Sequence, residues 1–243
     1  MASSKTQPVI SVEPVDVEDG RLVADFYRVV LAPHFRDDEL ETEENIAEGL
    51  RSGGTRALVA RTEDGTITGG AVVDWFARSH VLLLSYIATL PGQRGGGIGA
   101  KLMAAVPGTA AAGLNPFLIV AEVEDPRHYH SDPVLGDPQA RVRFYERLGG
   151  RTLPVPYVQP ALGPGRGRVP HLLLMVLGGS LAPPGTELVD GEVVELFLRE
   201  YFEGCEGPLR SGDSQVQDLL AACRQPDGLP LLLVSDLPEQ APQ

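Results

Sequence analysis

Apolar and polar positions alternate or recur along this chain in a way that predicts a series of strands interleaved with helices. Val9 to Val15 reads as a first strand. Leu22, Val23, Phe26, Val29 and Val30 then recur at helical spacing, and the acid-rich segment Asp37 to Leu50 predicts a second helix. Arg56 to Arg61 alternates into a strand, Glu63-Asp64-Gly65 marks a hairpin turn, and Thr66 to Phe76 predicts the next strand. Gly69-Gly70 inside that strand points to a bulge or a close backbone approach. Val81 to Ile87 is a further apolar, β-favouring run.

The segment beyond Ile87 is the one around which the other elements are organised. The strand breaks at Pro91-Gly92, crosses Gln93-Arg94-Gly95-Gly96-Gly97-Ile98-Gly99, and continues from Ala100 through good helix formers until Pro107-Gly108. Glycines leave no side chain between the backbone and a ligand, so successive N–H groups can converge on an anion. The free N–H groups and dipole of a helix start add to that attraction, and a phosphate or pyrophosphate is the anion they suit. A glycine-rich connection without a ligand is the plain alternative.

Three phosphate-cradle patterns are to be separated. A P-loop needs G-x-x-x-x-G-K-[ST], and Ala100 precedes Lys101 while Leu102 follows it, so that pattern fails. Gly95, Gly97 and Ala100 satisfy a dinucleotide fingerprint, but residues 91–94 intervene after the strand and no second strand-helix-strand half follows. The third pattern, [QR]-x-x-G-x-[GA], fits Arg94-Gly95-Gly96-Gly97-Ile98-Gly99 with Pro91 three residues ahead. Here the chain resembles the GNAT superfamily of N-acetyltransferases. The resemblance implies acetyl-CoA as co-substrate, with its pyrophosphate on Arg94, Gly95, Gly96, Gly97, Ile98, Gly99 and Ala100 and its pantetheine arm along Ile87, Ala88 and Thr89.

Downstream, Pro116 to Val123 predicts a buried strand ending in Glu122 and Glu124, which a period of two places on one face. Burial and like-charge proximity raise a carboxyl pKa toward general-base work, so Glu122 is a candidate base and Glu124 a candidate acceptor contact; a solvated strand exit is the alternative. The loop Arg127 to Gly136 holds His128 and His130, with no third ligand evident for a metal. Asp137-Pro138 opens a helix through Val142, Phe144, Tyr145 and Leu148 to Gly149-Gly150.

The string Phe144-Tyr145-Glu146-Arg147-Leu148-Gly149 is the second place of resemblance. It implies that Tyr145 is the general acid for the leaving thiolate, whereas the residues alone also allow an apolar contact on an amphipathic helix. Many relatives carry an asparagine before this tyrosine to contact coenzyme A; here the region reads Asp137-Pro138-Gln139-Ala140-Arg141, and Arg141 or Gln139 is the candidate substitute. The family also implies an acceptor wall near Phe35, Arg36 and Glu39.

Arg151 to Val158 and Val169 to Leu177 predict two last strands, joined by a proline- and glycine-rich loop, Gln159 to Arg168, in which Tyr157 and Gln159 are candidate acceptor contacts. The resemblance covers roughly residues 8 to 178. The expected fold is α/β, a GNAT-like mixed, mainly antiparallel sheet flanked by helices. Residues 1–178 are expected to form the acetyltransferase domain and residues 179–243 a small, mainly helical C-terminal extension that packs on the core or forms a homodimer interface.

Composition narrows the function classes. With 243 residues, 43% hydrophobic and 22% charged, the chain has no apolar run near bilayer-spanning length. The N-terminus MASSKTQPV lacks an apolar signal region, so a cytoplasmic protein is expected. A net charge of −13 argues against sequence-independent nucleic-acid binding and suits cationic or amine-bearing acceptors. Cys205 and Cys223 have no zinc-ligand spacing, so no metal is expected. The inferred activity is acetyl transfer from acetyl-CoA to the amine of a small-molecule or peptidic acceptor. A non-catalytic acyl-CoA-sensing module and a dinucleotide-binding enzyme are the rival readings.

Overall fold

The computed structural model describes residues 9–92, 96–133 and 135–238. Arg94 and Gly95 of the expected cradle lie outside the described residues. The elements run β1 (Ile10–Pro14), α1 (Gly20–Phe26), α2 (Glu43–Ser52), β2 (Thr55–Thr62), β3 (Ile67–Phe76), β4 (Val81–Thr89), α3 (Ile98–Ala105), β5 (Leu118–Glu124), α4 (Pro138–Arg147), β6 (Arg151–Thr152), β7 (Leu172–Gly178), β8 (Leu188–Val189), α5 (Gly191–Glu206), α6 (Ser214–Ala222) and β9 (Leu229–Pro230). Seven strands form a mixed sheet in the order β1-β2-β3-β4-β5-β7-β6, and β8 pairs β9 separately. The sheet is mainly antiparallel; β4 and β5 pair in parallel from Val81↔Leu118 to Leu84↔Ala121. The fold class is that expected, a mixed, mainly antiparallel sheet flanked by helices.

The chain divides into two compact units. The first comprises residues 1–36, 42–74 and 85–113. In it β1 pairs β2 and β2 pairs β3, both antiparallel. The register shifts between Ala60 and Arg61, and Gly70 lies so close to its neighbours that a Cβ there would meet Phe26 Cε2 at 2.2 Å and Leu58 O at 2.8 Å. The bulge thus falls at Thr68, next to the paired glycines, which provide the close approach. A buried carboxyl links three strands: Asp74 of β3 accepts from Thr55 of β2 at 2.5 Å and from Ser85 of β4. Burial raises its pKa, and the two hydroxyls oppose the rise.

The second unit comprises residues 37–41, 75–84 and 114–243. β5 pairs β7 antiparallel, with Glu122↔Leu174 and Glu124↔Leu172. One apolar cluster joins Leu118 and Val120 of β5 and Leu174 and Val176 of β7 to Val194, Phe197, Leu198 and Phe202 of α5 and Leu219 and Leu220 of α6. The segment after residue 178 thus shares a core with the central strands of this unit. α5 is held at its start by Asp190, whose side chain accepts from Glu192 N–H, and ends at Gly207 with φ 83°.

Several element boundaries differ from the sequence expectation. The helix expected from Asp37 begins at Glu43, because the Thr42 hydroxyl accepts from Asn45 N–H and fixes the cap there, with Glu43 and Glu44 in the first turn. The helix after the glycine turn begins at Ile98 rather than Ala100: Gly97, with φ 76°, takes the turn, and Ile98 is already helical and buried. It passes Pro107 through a π turn, in which Ala111 N–H reaches Val106 O at 2.9 Å. A similar π turn, Tyr27–Leu31, extends α1. The strand expected over Arg151 to Val158 pairs only at Arg151 and Thr152, since Pro154 and Pro156 have no N–H to give a ladder.

Gly70→Ala is expected to destabilise the protein by about 1–3 kcal/mol, the usual cost of forcing volume into a filled site. Urea denaturation measures it, and an unchanged midpoint would show that Phe26 can yield at no cost.

Candidate functional site

In the first unit, the strand end Ile87-Ala88-Thr89 is fixed by local backbone geometry. Leu90 N–H reaches Thr68 O at 2.9 Å, and a Cβ on Gly69 would lie 2.6 Å from Ala88 O, so β3 must carry glycine where β4 ends. Gly97 opens α3 in the left-handed region, and no heavy atom lies within 4 Å of where its Cβ would stand. The first N–H groups of α3 have no intrahelical acceptor, and Gly96, Gly97 and Ala100 are exposed. This is open backbone at a positive helix end, which fits a phosphate-bearing ligand. Phe35, expected in the acceptor wall, packs edge-on against Tyr86 at 4.9 Å between ring centroids.

In the second unit, the end of β5 gathers the ionisable groups. Glu122 is half-buried, and its Oε1 accepts from the Tyr157 hydroxyl. Its Oε2 accepts from Gln159 Nε2 at 3.0 Å and from the Tyr201 hydroxyl at 3.4 Å. Burial pushes the Glu122 carboxyl up to about 7; the charge of Glu39 adds to the rise, and the three hydrogen bonds work against it. The Tyr157 hydroxyl is itself pushed well above its ordinary value, by burial first and by the Glu122 charge second. The structure thus brings Glu122, Tyr157, Gln159 and Glu39 together from positions far apart in sequence.

Glu124, two residues on, has a different environment. It is buried and forms an ion pair with Arg141 of α4 at 2.9 Å, while Arg141 also donates to Leu135 O at 2.8 Å. Asp125 carries a similar pair with Arg127 at 2.7 Å. Tyr145, on the same helix as Arg141, is buried with Val142 and has its ring edge-on to Phe144 at 5.3 Å. Burial raises the phenol pKa to about 12, and Arg141 opposes the rise. Its hydroxyl has no hydrogen-bond partner among the described residues. His128 stacks on His171 at 4.1 Å.

Sequence analysis did not single out Tyr201, whose hydroxyl reaches Glu122. The available signal was a tyrosine among Val194, Phe197 and Leu198, because a buried phenol needs a partner. Also missed was the tether of the loop after Gln159. Arg168 forms ion pairs of 2.5 Å with both Glu206 and Asp213, and Glu206 also accepts from Ala161 N–H at 2.9 Å. Gln159 and Val169 exchange both backbone hydrogen bonds at the base of that loop.

The features on which the comparisons bear are a mainly antiparallel mixed sheet, a glycine opening a helix, and a carboxyl near the end of β5 that carries three hydrogen bonds. Residues 53–149 match the family model described as Acetyltransferase (GNAT) domain. Among solved structures it is similar to a protein of Bacteroides thetaiotaomicron assigned to the GNAT family of acetyltransferases, at 25% identity and a TM-score of 0.52 over 70% of this chain and 87% of the other. It is also similar in fold to a protein of Acinetobacter baylyi assigned as an acetyltransferase, at 14% identity and a TM-score of 0.50 over 73% and 98%. A comparison with curated proteins finds no match. The domain and the first of these structures support N-acetyltransferase activity in general. No helix of the described residues is long and apolar enough to cross a membrane.

The raised Glu122 carboxyl has a consequence for stability. The folded chain keeps this proton up to about pH 7, whereas an ordinary glutamate releases it near 4.5, so stability falls as pH rises through that window. Glu122→Gln should flatten the decline by up to about 1.4 kcal/mol per pH unit, measured by urea denaturation between pH 4.5 and 7.5. Identical slopes in both proteins would show that Glu122 ionises normally.

Proposed function

We propose that this chain is an N-acetyltransferase that moves the acetyl group of acetyl-CoA to the amine of a small-molecule or peptidic acceptor by direct attack within a ternary complex. The observation that carries the reading is the Glu122 carboxyl, raised to about 7 and held by three hydrogen bonds at the end of β5. A base is most effective when its pKa lies near the working pH, because it is then ionised and still a useful proton acceptor.

Acetyl-CoA supplies the activated acyl group as a thioester. Residues Arg94 to Ala100 bind its pyrophosphate through backbone N–H groups, and Ile87, Ala88 and Thr89 line its pantetheine arm. Arg141, anchored by Glu124, is the further contact to coenzyme A. Phe35, Glu39, Glu124, Tyr157 and Gln159 form the acceptor side. Glu122 takes the proton that the amine loses as its nitrogen bonds to the acyl carbon. Tyr145 gives its phenol proton to sulfur as the carbon–sulfur bond breaks and the electron pair passes to sulfur.

A phenol raised to about 12 stays protonated at neutral pH, which the donor role requires. Neither step needs a metal or a covalent enzyme intermediate, since holding two reactants together supplies much of the acceleration. Residues 1–178 constitute the acetyltransferase domain in this reading, and residues 179–243 an extension of it. The acceptor is an amine-bearing molecule, attracted by the net charge of −13 and attacking as the neutral amine.

Two measurements test the reading. Tyr145→Phe removes one hydroxyl and keeps the ring, so kcat should fall about a hundred- to ten-thousand-fold with the melting temperature unchanged; near-full activity would assign Tyr145 to packing alone. For the cradle, Ala100→Glu is the better probe than a change at Gly97, whose positive φ would strain any side chain. An exposed acid in the first turn of α3 favours the helix and repels a pyrophosphate. Acetyl-CoA affinity by calorimetry should drop at least about tenfold, the effect of ~1.4 kcal/mol, and unchanged affinity would remove this helix end from the cofactor site.

A further inference from the structure

The segment matched by the family model ends at residue 149, yet one of the hydroxyls on Glu122 comes from α5, far beyond it. We propose that Tyr201 is a positioning residue for the Glu122 carboxylate, so that α5 is part of the proton-transfer machinery rather than an appendage. The proposal rests on the reading of Glu122 as the base.

Three observations carry it. First, the Tyr201 hydroxyl lies 3.4 Å from Oε2, the same oxygen that accepts from Gln159, so the tyrosine and the amide together fix where that oxygen points. Secondly, the ring that carries the hydroxyl is held from two sides. Phe76 meets it edge-on at 5.3 Å and Phe197 stacks on it at 5.8 Å, so its direction is set by packing. Thirdly, the same helix holds the other donors in place: Glu206, five residues further on, accepts from Ala161 N–H and from Arg168, the two ends of the loop after Gln159.

The groups that face Glu122 are Tyr157 and Gln159 from the segment after β6, Tyr201 from α5 and Glu39 from the turn before α2; Cys205 of α5 acts on Tyr157. Among the described residues no lysine or arginine pairs with Glu122, so its ionised form depends on hydroxyl and amide donors. A donor favours the charged form of a carboxylate. Removing the Tyr201 hydroxyl should therefore leave Glu122 protonated to higher pH.

The test is Tyr201→Phe, which keeps the ring between Phe76 and Phe197. Glu122 is titrated directly by NMR with ¹³C-labelled glutamate, its signal assigned by loss in Glu122→Gln, and the pH dependence of kcat/KM is measured alongside. The Glu122 midpoint should rise by about half to one pH unit, the size expected of one long hydrogen bond to a carboxylate. The acidic limb of kcat/KM should move with it while acetyl-CoA affinity stays as it was. An unchanged NMR midpoint overturns the proposal. A midpoint that moves while the activity limb stays in place upholds Tyr201's action on Glu122 and instead removes Glu122 as the base. Tyr201→Met, with similar apolar volume and no hydroxyl, is the second variant if the phenylalanine protein does not fold.

Discussion

A carboxyl group partly withdrawn from water near the end of an apolar strand must be neutralised or given donors, and in this protein that constraint falls on Glu122. Withdrawing an ionised carboxylate from water costs several kcal/mol even after relaxation. A hydrogen bond to a charged group returns about 1.5–3 kcal/mol. Tyr157, Gln159 and Tyr201 therefore offset much of the cost without cancelling it, and the pKa rests near 7 instead of at the ordinary value or far above it. The donors come from an irregular segment and from a helix more than forty residues later, so both must be held at fixed positions. The Arg168 ion pairs, the Ala161–Glu206 bond and the apolar cluster beneath α5 are what hold them.

The other buried polar groups meet the cost of burial in different ways. Asp74 is also buried, but two hydroxyls from neighbouring strands enclose it, and it joins β2, β3 and β4 of the first unit. Glu124 meets a guanidinium at 2.9 Å, which makes it an anchor for Arg141. Tyr145 has burial and no hydrogen-bonded partner among the described residues, so its proton is retained. Glu122 near 7 and Tyr145 near 12 form the kind of separated pair from which a base and an acid can be drawn. That pairing is the physical content of the N-acetyltransferase reading.

Much of the fold was legible in the sequence because it rests on local signals. Alternation and apolar runs gave the central strands, Asp137-Pro138 gave the start of α4, and the glycine string after Val81 to Ile87 gave the turn into α3. The boundaries that shifted did so for local reasons too. The Thr42 hydroxyl selected the α2 start over the acids ahead of it, and Pro154 and Pro156 shortened β6 to two residues.

The sequence by itself determined the fold class, the glycine turn, and the presence of Glu122, Glu124 and Tyr145 on the elements that carry them, because periodicity, capping and motif spacing are properties of neighbouring residues. Only the tertiary structure decided which partners each of the two acids meets. Their positions on β5 differ by two residues, and the difference lies in what packs against each: Arg141 against Glu124, and two phenols and an amide against Glu122. It likewise decided that Tyr201 reaches Glu122, since a hydroxyl within an apolar stripe acquires its partner from a strand 79 positions away, and no spacing along the chain encodes that meeting.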